Sequence, residues 1–340
     1  MRVVAAPDKL RGTALAGEVA DAIARAAARA GWDCDRVPMA DGGEGTLEAL
    51  GGANRSTTVT GPLGEPVEAA WRLDGRTAVI EMAQASGLEL VGGAEGNDPV
   101  AASTAGTGEL VVAALDVGAT RVIVGLGGSA TTDGGLAALR ALHPLGRLKG
   151  IDLVVACDAM VPFLDAATLF AGQKGATAAQ VELLRRRLER LAQVYRDEHG
   201  IDVLDLPGAG AAGGLAGGLA AAGARLVSGF ELVADELELY DRIEGADLVI
   251  TAEGFLDAQS FEGKVVGGVL ALADAAGVPT VAIAGEVYDG VGDRLEVVSL
   301  VERFGEARSH GETLACIEEA AAEVLAAHAA RHPRGTGTSR

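Results

Sequence analysis

The sequence predicts an α/β protein built on a doubly wound parallel sheet, with a second α/β domain, containing antiparallel hairpins, inserted into the first. Three observations predict it. Short apolar runs alternate with segments of helical period at both ends of the chain, and hairpin-type turns break that rhythm in the middle. The length, 340 residues, is long for one core and comfortable for two.

The first forty residues read as a β–α–β unit: strand "RVVAAP", a helix over about 14–30 with apolar positions at helical spacing, and strand "CDRVPMA". Residues 57–91 change character. Their runs "TTVTGPLGEPVEAAWRLDGRTAVIEM" are separated by Gly-Pro-Leu-Gly and Asp-Gly, which signal hairpins rather than crossovers. The αβ rhythm then resumes with the Ser/Thr-capped helix "STAGTGELVVAALDVGA", strand "RVIVGLGG", a helix near 134–142, strand "DLVVACD" and a long helix over about 177–199. From 235 onward come a helix, strand "ADLVITAEG", a helix over about 263–276, strands "VPTVAIAGEV" and "VVSLVE", and a closing helix over about 312–331. The N-terminal unit joined to the C-terminal third makes a Rossmann-like domain, 1–56 plus 235–331, interrupted by an inserted domain, 57–234. Residues 332–340 lack apolar periodicity and read as a disordered tail.

Composition bounds the partners. A net charge of −20 repels phosphate backbones, and an aromatic share of 3% provides few stacking platforms, so nucleic acid is excluded as a partner class. A small anionic substrate stays compatible, provided its site is built from local cations or a bound divalent metal. Cys34, Cys157 and Cys316 are odd in number and widely spaced, which argues against a disulfide framework or a structural zinc site. No run reaches the 18 apolar residues of a membrane span and the N-terminus lacks a signal-peptide pattern, so we expect a cytoplasmic protein, monomer or homodimer. The five histidines show no HExxH spacing, and there is no G-x-S-x-G elbow.

Six stretches carry glycine with acids, hydroxyls or lysine after an apparent strand: "APDKLRGT", "MADGGEGT", "GLGGSATTDGG", "VACDAM", "PGAGAAGGLAGG" and "ITAEGFLDAQSFEGK". Any one of them is an ordinary turn or cap taken alone. Together they form a rim at the carboxyl ends of the strands, where open α/β sheets bind ligands. That rim offers what phosphoryl transfer needs: backbone N–H groups for phosphate, carboxylates for a metal and for the attacking hydroxyl, and cations for the migrating charge. The last stretch is no Walker A loop, since Ala258 stands at the first glycine position and Val265 at the hydroxyl. "GAGAAG", Gly208 to Gly213, matches a dinucleotide fingerprint after a possible strand "IDVLDL"; Pro207 and the glycines that continue past the motif speak against an NAD-dependent oxidoreductase.

Taken in order, these loops resemble the glycerate kinase family of the bacterial type I kind. Further matching stretches are "VTGPLGEPVEA", "STAGTGEL", "QKGAT" and "GARLVSGFELV", and the resemblance covers about residues 1–290. It implies ATP-dependent phosphorylation of D-glycerate with Mg2+ by a two-domain α/β protein whose cleft holds the site. On that resemblance the catalytic candidates are Asp158, Asp8 and Lys264, and the substrate-binding candidates Arg11, Asp41, Glu44 and Lys174. Gly127, Gly128, Ser129, Asp133, Gly210 and Gly213 are expected at the nucleotide, and Glu253 and Asp257 at the metal. Arg11 stands for the usual Lys of the family pattern and Thr132 where Asn is commoner, and two further departures matter more. Val161 stands where the family has Asn, in a shortened loop, and Phe255 stands where Thr-Gly-Glu-Gly-Arg has its arginine. These departures motivate the alternative of a diverged paralogue that binds a sugar acid or nucleotide without catalysis or with another substrate.

Overall fold

The computed structural model describes residues 1–10, 12–158, 160–261, 264–288, 291 and 294–332. They form two compact units, Met1–Ala40 with the chain from Ala234 onward, and Asp41–Val233. The strands in chain order are β1 (Arg2–Ala5), β2 (Asp33–Arg36), β3 (Arg55–Thr60), β4 (Pro66–Asp74), β5 (Thr77–Glu81) and β6 (Arg121–Gly125). They continue with β7 (Asp152–Cys157), β8 (Arg225–Ser228), β9 (Leu248–Leu256), β10 (Thr280–Val287) and β11 (Glu296–Ser299).

The first unit is an all-parallel sheet in the order β11-β10-β9-β1-β2. Its central strands are nearly continuous apolar runs, Val3 to Ala5, Leu248 to Ile250 and Val281 to Ala284, which is how strands covered on both faces read. Helix Ala16–Arg29 buries Val19, Ile23, Ala26 and Ala27, and helix Thr313–Arg331 buries Cys316, Ile317, Ala320 and Leu325 in the same core. Alanine on both faces lets the two helices approach closely. Trp32 closes the end of this core with its ring edge-on to His328, centroids 5.6 Å apart.

The second unit is a mixed sheet in the order β3-β4-β5-β6-β7-β8. β3, β4 and β5 form the antiparallel hairpins, and β5 to β8 run parallel. The loop after Ala40 belongs with this sheet. The Glu81 carboxylate at the end of β5 accepts from the N–H groups of Gly45 and Leu47 at 2.9 and 2.7 Å, and Arg72 of β4 donates to the Gly51 carbonyl at 2.9 Å. Those bonds account for a structural division at 40, where the hairpin turns put the sequence boundary near 56.

Local differences from the sequence reading have simple causes. Residues 201–206 form turns rather than a strand, so the glycine stretch that follows does not leave a sheet. β8, a short edge strand with a mixed polar pattern, was not anticipated. "VVSLVE" is strand only to Ser299, whose hydroxyl accepts from the Glu302 N–H at 3.3 Å and starts helix Leu300–Phe304.

The glycines of 207–218 are used for packing. Within helix Ala211–Ala221, residues 212–214 take left-handed backbone angles, with φ of 52, 73 and 88°. A Cβ on Gly213 would lie 1.9 Å from the Thr131 carbonyl oxygen, and one on Gly217 would lie 2.7 Å from the Phe163 ring. Phe163 and Tyr195 are fully buried, and the Tyr195 hydroxyl donates to the Gly134 carbonyl at 2.8 Å. Gly213→Ala therefore meets both a backbone clash and an unfavourable φ, and we expect it to cost at least about 2 kcal/mol. A urea denaturation series comparing it with Gly146→Ala, where a Cβ meets nothing within 4 Å, measures that cost.

Candidate active site

In the second unit, parallel strands β5 to β8 deliver their loops to one edge, the carboxyl edge at which α/β sheets take ligands. The loop Asp41–Thr46 lies against the exit of β6 with almost no space between backbones. A Cβ on Gly125 would sit 2.8 Å from the Gly42 carbonyl oxygen, and one on Gly127 would sit 3.0 Å from the Glu44 nitrogen. Gly42 in turn abuts Gly229, after β8, so that a Cβ there would lie 2.6 Å from its Cα. Asp41 folds its carboxylate back to accept from the Gly43 N–H at 3.1 Å, while Glu44 is exposed at the turn. The exits of β6 and β7 are joined by the Leu126 N–H donating to Ala156 at 3.2 Å, and Asp158, half-buried, follows directly after β7.

Gly128 differs from its neighbours. Its φ is +62°, yet a Cβ would meet only the Ala83 methyl at 3.6 Å, so conformation and not crowding calls for glycine. Its carbonyl accepts from Leu88 at 2.7 Å, which fixes its direction. Among the described residues no acceptor pairs with the N–H of Gly127 or Gly128. Two adjacent backbone donors in a glycine turn are a cradle for an anion.

Behind this loop lies a buried charged cluster. Lys174 is 6% exposed, and its ammonium donates to Ser129 Oγ at 2.7 Å and to the Thr131 carbonyl at 2.6 Å. Burial pulls its pKa down to about 8, with the charge of Asp133 opposing. The Asp133 carboxylate accepts from Thr104 N–H and hydroxyl at 3.0 and 2.8 Å and from the Gly135 N–H at 3.0 Å. Burial pushes its pKa up against those bonds. Both residues thus brace the 129–135 turn from inside the fold. Gly210 and Gly213 are occupied by protein too: a Cβ on Gly210 would lie 2.2 Å from the Pro162 carbonyl oxygen. Lys174, Gly210 and Gly213 are thus spent on contacts within the protein, while Asp133 is partly covered.

In the first unit the loops leaving β1, β9 and β10 share the carboxyl edge of their sheet. The Asp8 N–H donates to Ala252 at 2.9 Å, which sets Asp8 beside the strand carrying Glu253, and Asp8 Oδ1 accepts from Lys9 at 2.7 Å. Asp257 accepts from the N–H groups of Gln259 and Ser260 at 2.8 and 3.1 Å and so opens the short turn Ala258–Phe261. Lys264 occupies the cap position of helix Val265–Ala276. Phe255 is 49% exposed and leans on Tyr288, centroids 6.0 Å apart. Arg11 lies outside the described residues.

Glu81 is the residue that the sequence reading missed. A lone acid closing the apolar strand "TAVIEM" was its only signal, and its carboxylate shapes the 41–46 loop.

Residues 3–144 and 143–332 match the family described as the glycerate kinase family. The chain belongs to the glycerate kinase family. A protein of Escherichia coli (strain K12) called Glycerate 2-kinase is 43% identical over 332 residues, covering 86% of this chain and 87% of its own length. The Glycerate kinase of Halalkalibacterium halodurans is 38% identical over 95% of this chain and 97% of its own. A solved structure described as a putative glycerate kinase 2 from Salmonella typhimurium LT2 superposes with a TM-score of 0.84 at 36% identity, over 97% of this chain and 99% of that one. Family membership makes the chain a kinase, and a kinase implies ATP. No helix among the described residues is long and apolar enough to cross a membrane.

The Lys174 shift carries a pH signature for this glycerate kinase family member. Its folded pKa, about 8, lies below the unfolded value of 10.5, so the unfolded chain binds more protons between the two and stability rises with pH in that window. Relative to Lys174→Met, the natural chain should gain up to about 3 kcal/mol between pH 7.5 and pH 10.5. Denaturation midpoints of both proteins across that range test it, and parallel curves would contradict the burial argument.

Proposed function

We propose that the chain phosphorylates D-glycerate from magnesium-ATP, at the 2-hydroxyl as the name of its Escherichia coli relative states for that protein. The observation that carries the reading is the pair of backbone donors at Gly127 and Gly128, in a loop braced by Lys174 on one side and by the 41–46 turn on the other. Fixed donors that need no reorganisation are what stabilises charge on a migrating phosphoryl group. Asp158, at the neighbouring strand exit, orients the glycerate hydroxyl and takes its proton. Lys264, at a helix N-terminus, adds positive charge toward phosphate or substrate carboxylate. Asp41 and Glu44 flank the cradle, and Asp8 stands beside Glu253.

Among the described residues no three His, Cys, Asp or Glu side chains gather into a metal cage. Magnesium in kinases takes only one or two carboxylates and completes its shell with water and phosphate oxygens, so the acids present fit it. Glu253 is the carboxylate we assign to it; Asp257, with one oxygen committed to its turn, is the second. Bound magnesium would neutralise charge on the β- and γ-phosphates.

Purified protein with ATP, magnesium and D-glycerate should form phosphoglycerate, with 31P NMR reporting the position. Asp158→Asn should lower kcat by 100-fold or more while leaving the melting temperature near that of the natural chain, in line with the general-base contribution of roughly 10²–10⁴. A second reading, an altered-substrate or non-catalytic paralogue, rests on Phe255, whose half-exposed ring leans on Tyr288 where the family pattern has arginine. Phe255→Arg should raise kcat/KM for glycerate about tenfold, the worth of one charged hydrogen bond. Binding of ATP without turnover in the natural chain, with turnover appearing in the variant, would favour the second reading.

A further inference from the structure

Helix Ala178–His199 carries "ELLRRRLERL", an arginine cluster that no step of phosphoryl transfer uses. Its face at Arg186, Arg187, Arg190 and Val194 follows the three-to-four-residue spacing of one helical stripe. That stripe and helix Leu136–Ala141 line an open cavity of about 790 Å3 within the second unit, inside the 300–1,000 Å3 range of small-molecule sites. We propose that this cavity binds a small molecule carrying two phosphate or carboxylate groups, at a place other than the Gly127–Gly128 cradle.

Charge is the first support. Four arginines line the cavity, Arg140 from one helix and Arg186, Arg187 and Arg190 from the other, against two carboxylates, Asp133 and Glu198. In a chain of net charge −20 this is a local inversion of sign. Asp133 makes no ion pair with these arginines; its oxygens accept from Thr104 and Gly135. Arg186 is paired with Glu182 at 2.9 Å, and Arg187 is held in place by donating to the Val100 carbonyl at 2.9 Å. Arg140 and Arg190 have no hydrogen bond or ion pair with any described residue. Two guanidinium groups on facing helices suit a ligand with two anionic ends, since each fork takes a phosphate or carboxylate bidentately.

The second support is the apolar part of the lining. Leu136, Leu139 and Leu191 supply apolar wall for the ligand's carbon body. Gly127, Gly128 and Asp158 do not line the cavity, so the phosphoryl-transfer cradle is a different place.

Pyrophosphate is the probe. Calorimetric titration of the full chain at low salt should show one binding event that saturating magnesium with a non-hydrolysable ATP analogue leaves in place. The double variant Arg140→Ala/Arg190→Ala should weaken it by tenfold or more without lowering the melting temperature, because both side chains are exposed and unpaired within the described structure. Absence of pyrophosphate binding, undiminished binding in the double variant, or full displacement by the ATP analogue would each overturn the proposal.

Discussion

The Thr131 carbonyl oxygen occupies the space that a Cβ on Gly213 would need, and the same kind of contact recurs between Gly125 and Gly42 and between Gly42 and Gly229. Backbone pressed on backbone fixes the loops of the second unit more tightly than side chains could, because there are no rotamers to relax. The 125–135 segment is held on one side by the 41–46 turn and on the other by the 210–218 helix start. Its shape follows from those two contacts, and the direction of the Gly127 and Gly128 donors follows from its shape. Forty-nine glycines in this chain are in part the consequence of that design.

Packing of this kind leaves polar groups inside, and the fold satisfies most of them with a few buried charges. Lys174 fills the carbonyl of Thr131 and the hydroxyl of Ser129; Asp133 fills the donors at Thr104 and Gly135; Glu81 fills those at Gly45 and Leu47. Each would cost several kcal/mol if its partner were removed, since an uncompensated buried charge is what remains. The loop is therefore rigid where its backbone donors stand, and the charges that brace it are committed to protein partners.

Much of this was legible in the chain itself. Strands that end in acid-and-glycine loops place those loops on the carboxyl edge of a parallel sheet, and Gly-Pro-Leu-Gly with Asp-Gly marks the hairpins of β3 to β5. What the sequence could not convey was which way a side chain or a glycine faces. Lys174 reads as a substrate cation and is a buried brace; Gly210 and Gly213 read as ligand glycines and are pressed against backbone, because spacing does not distinguish a phosphate from a carbonyl at the same distance. β8 was missed because a four-residue edge strand, "RLVS", has too little apolar pattern to register. The arginine cavity was invisible because Arg140 and Arg190 come from different helices and line one cavity only in the fold.

The central claim is that Gly127 and Gly128 hold the phosphates of ATP through their backbone N–H groups. Amide hydrogen exchange with and without magnesium and a non-hydrolysable ATP analogue tests it most directly. The account predicts that protection rises most at Gly127 and Gly128, with the flanking braced residues Ser129 to Gly135 little changed. Protection that rises elsewhere and leaves these two amides as they were would contradict it.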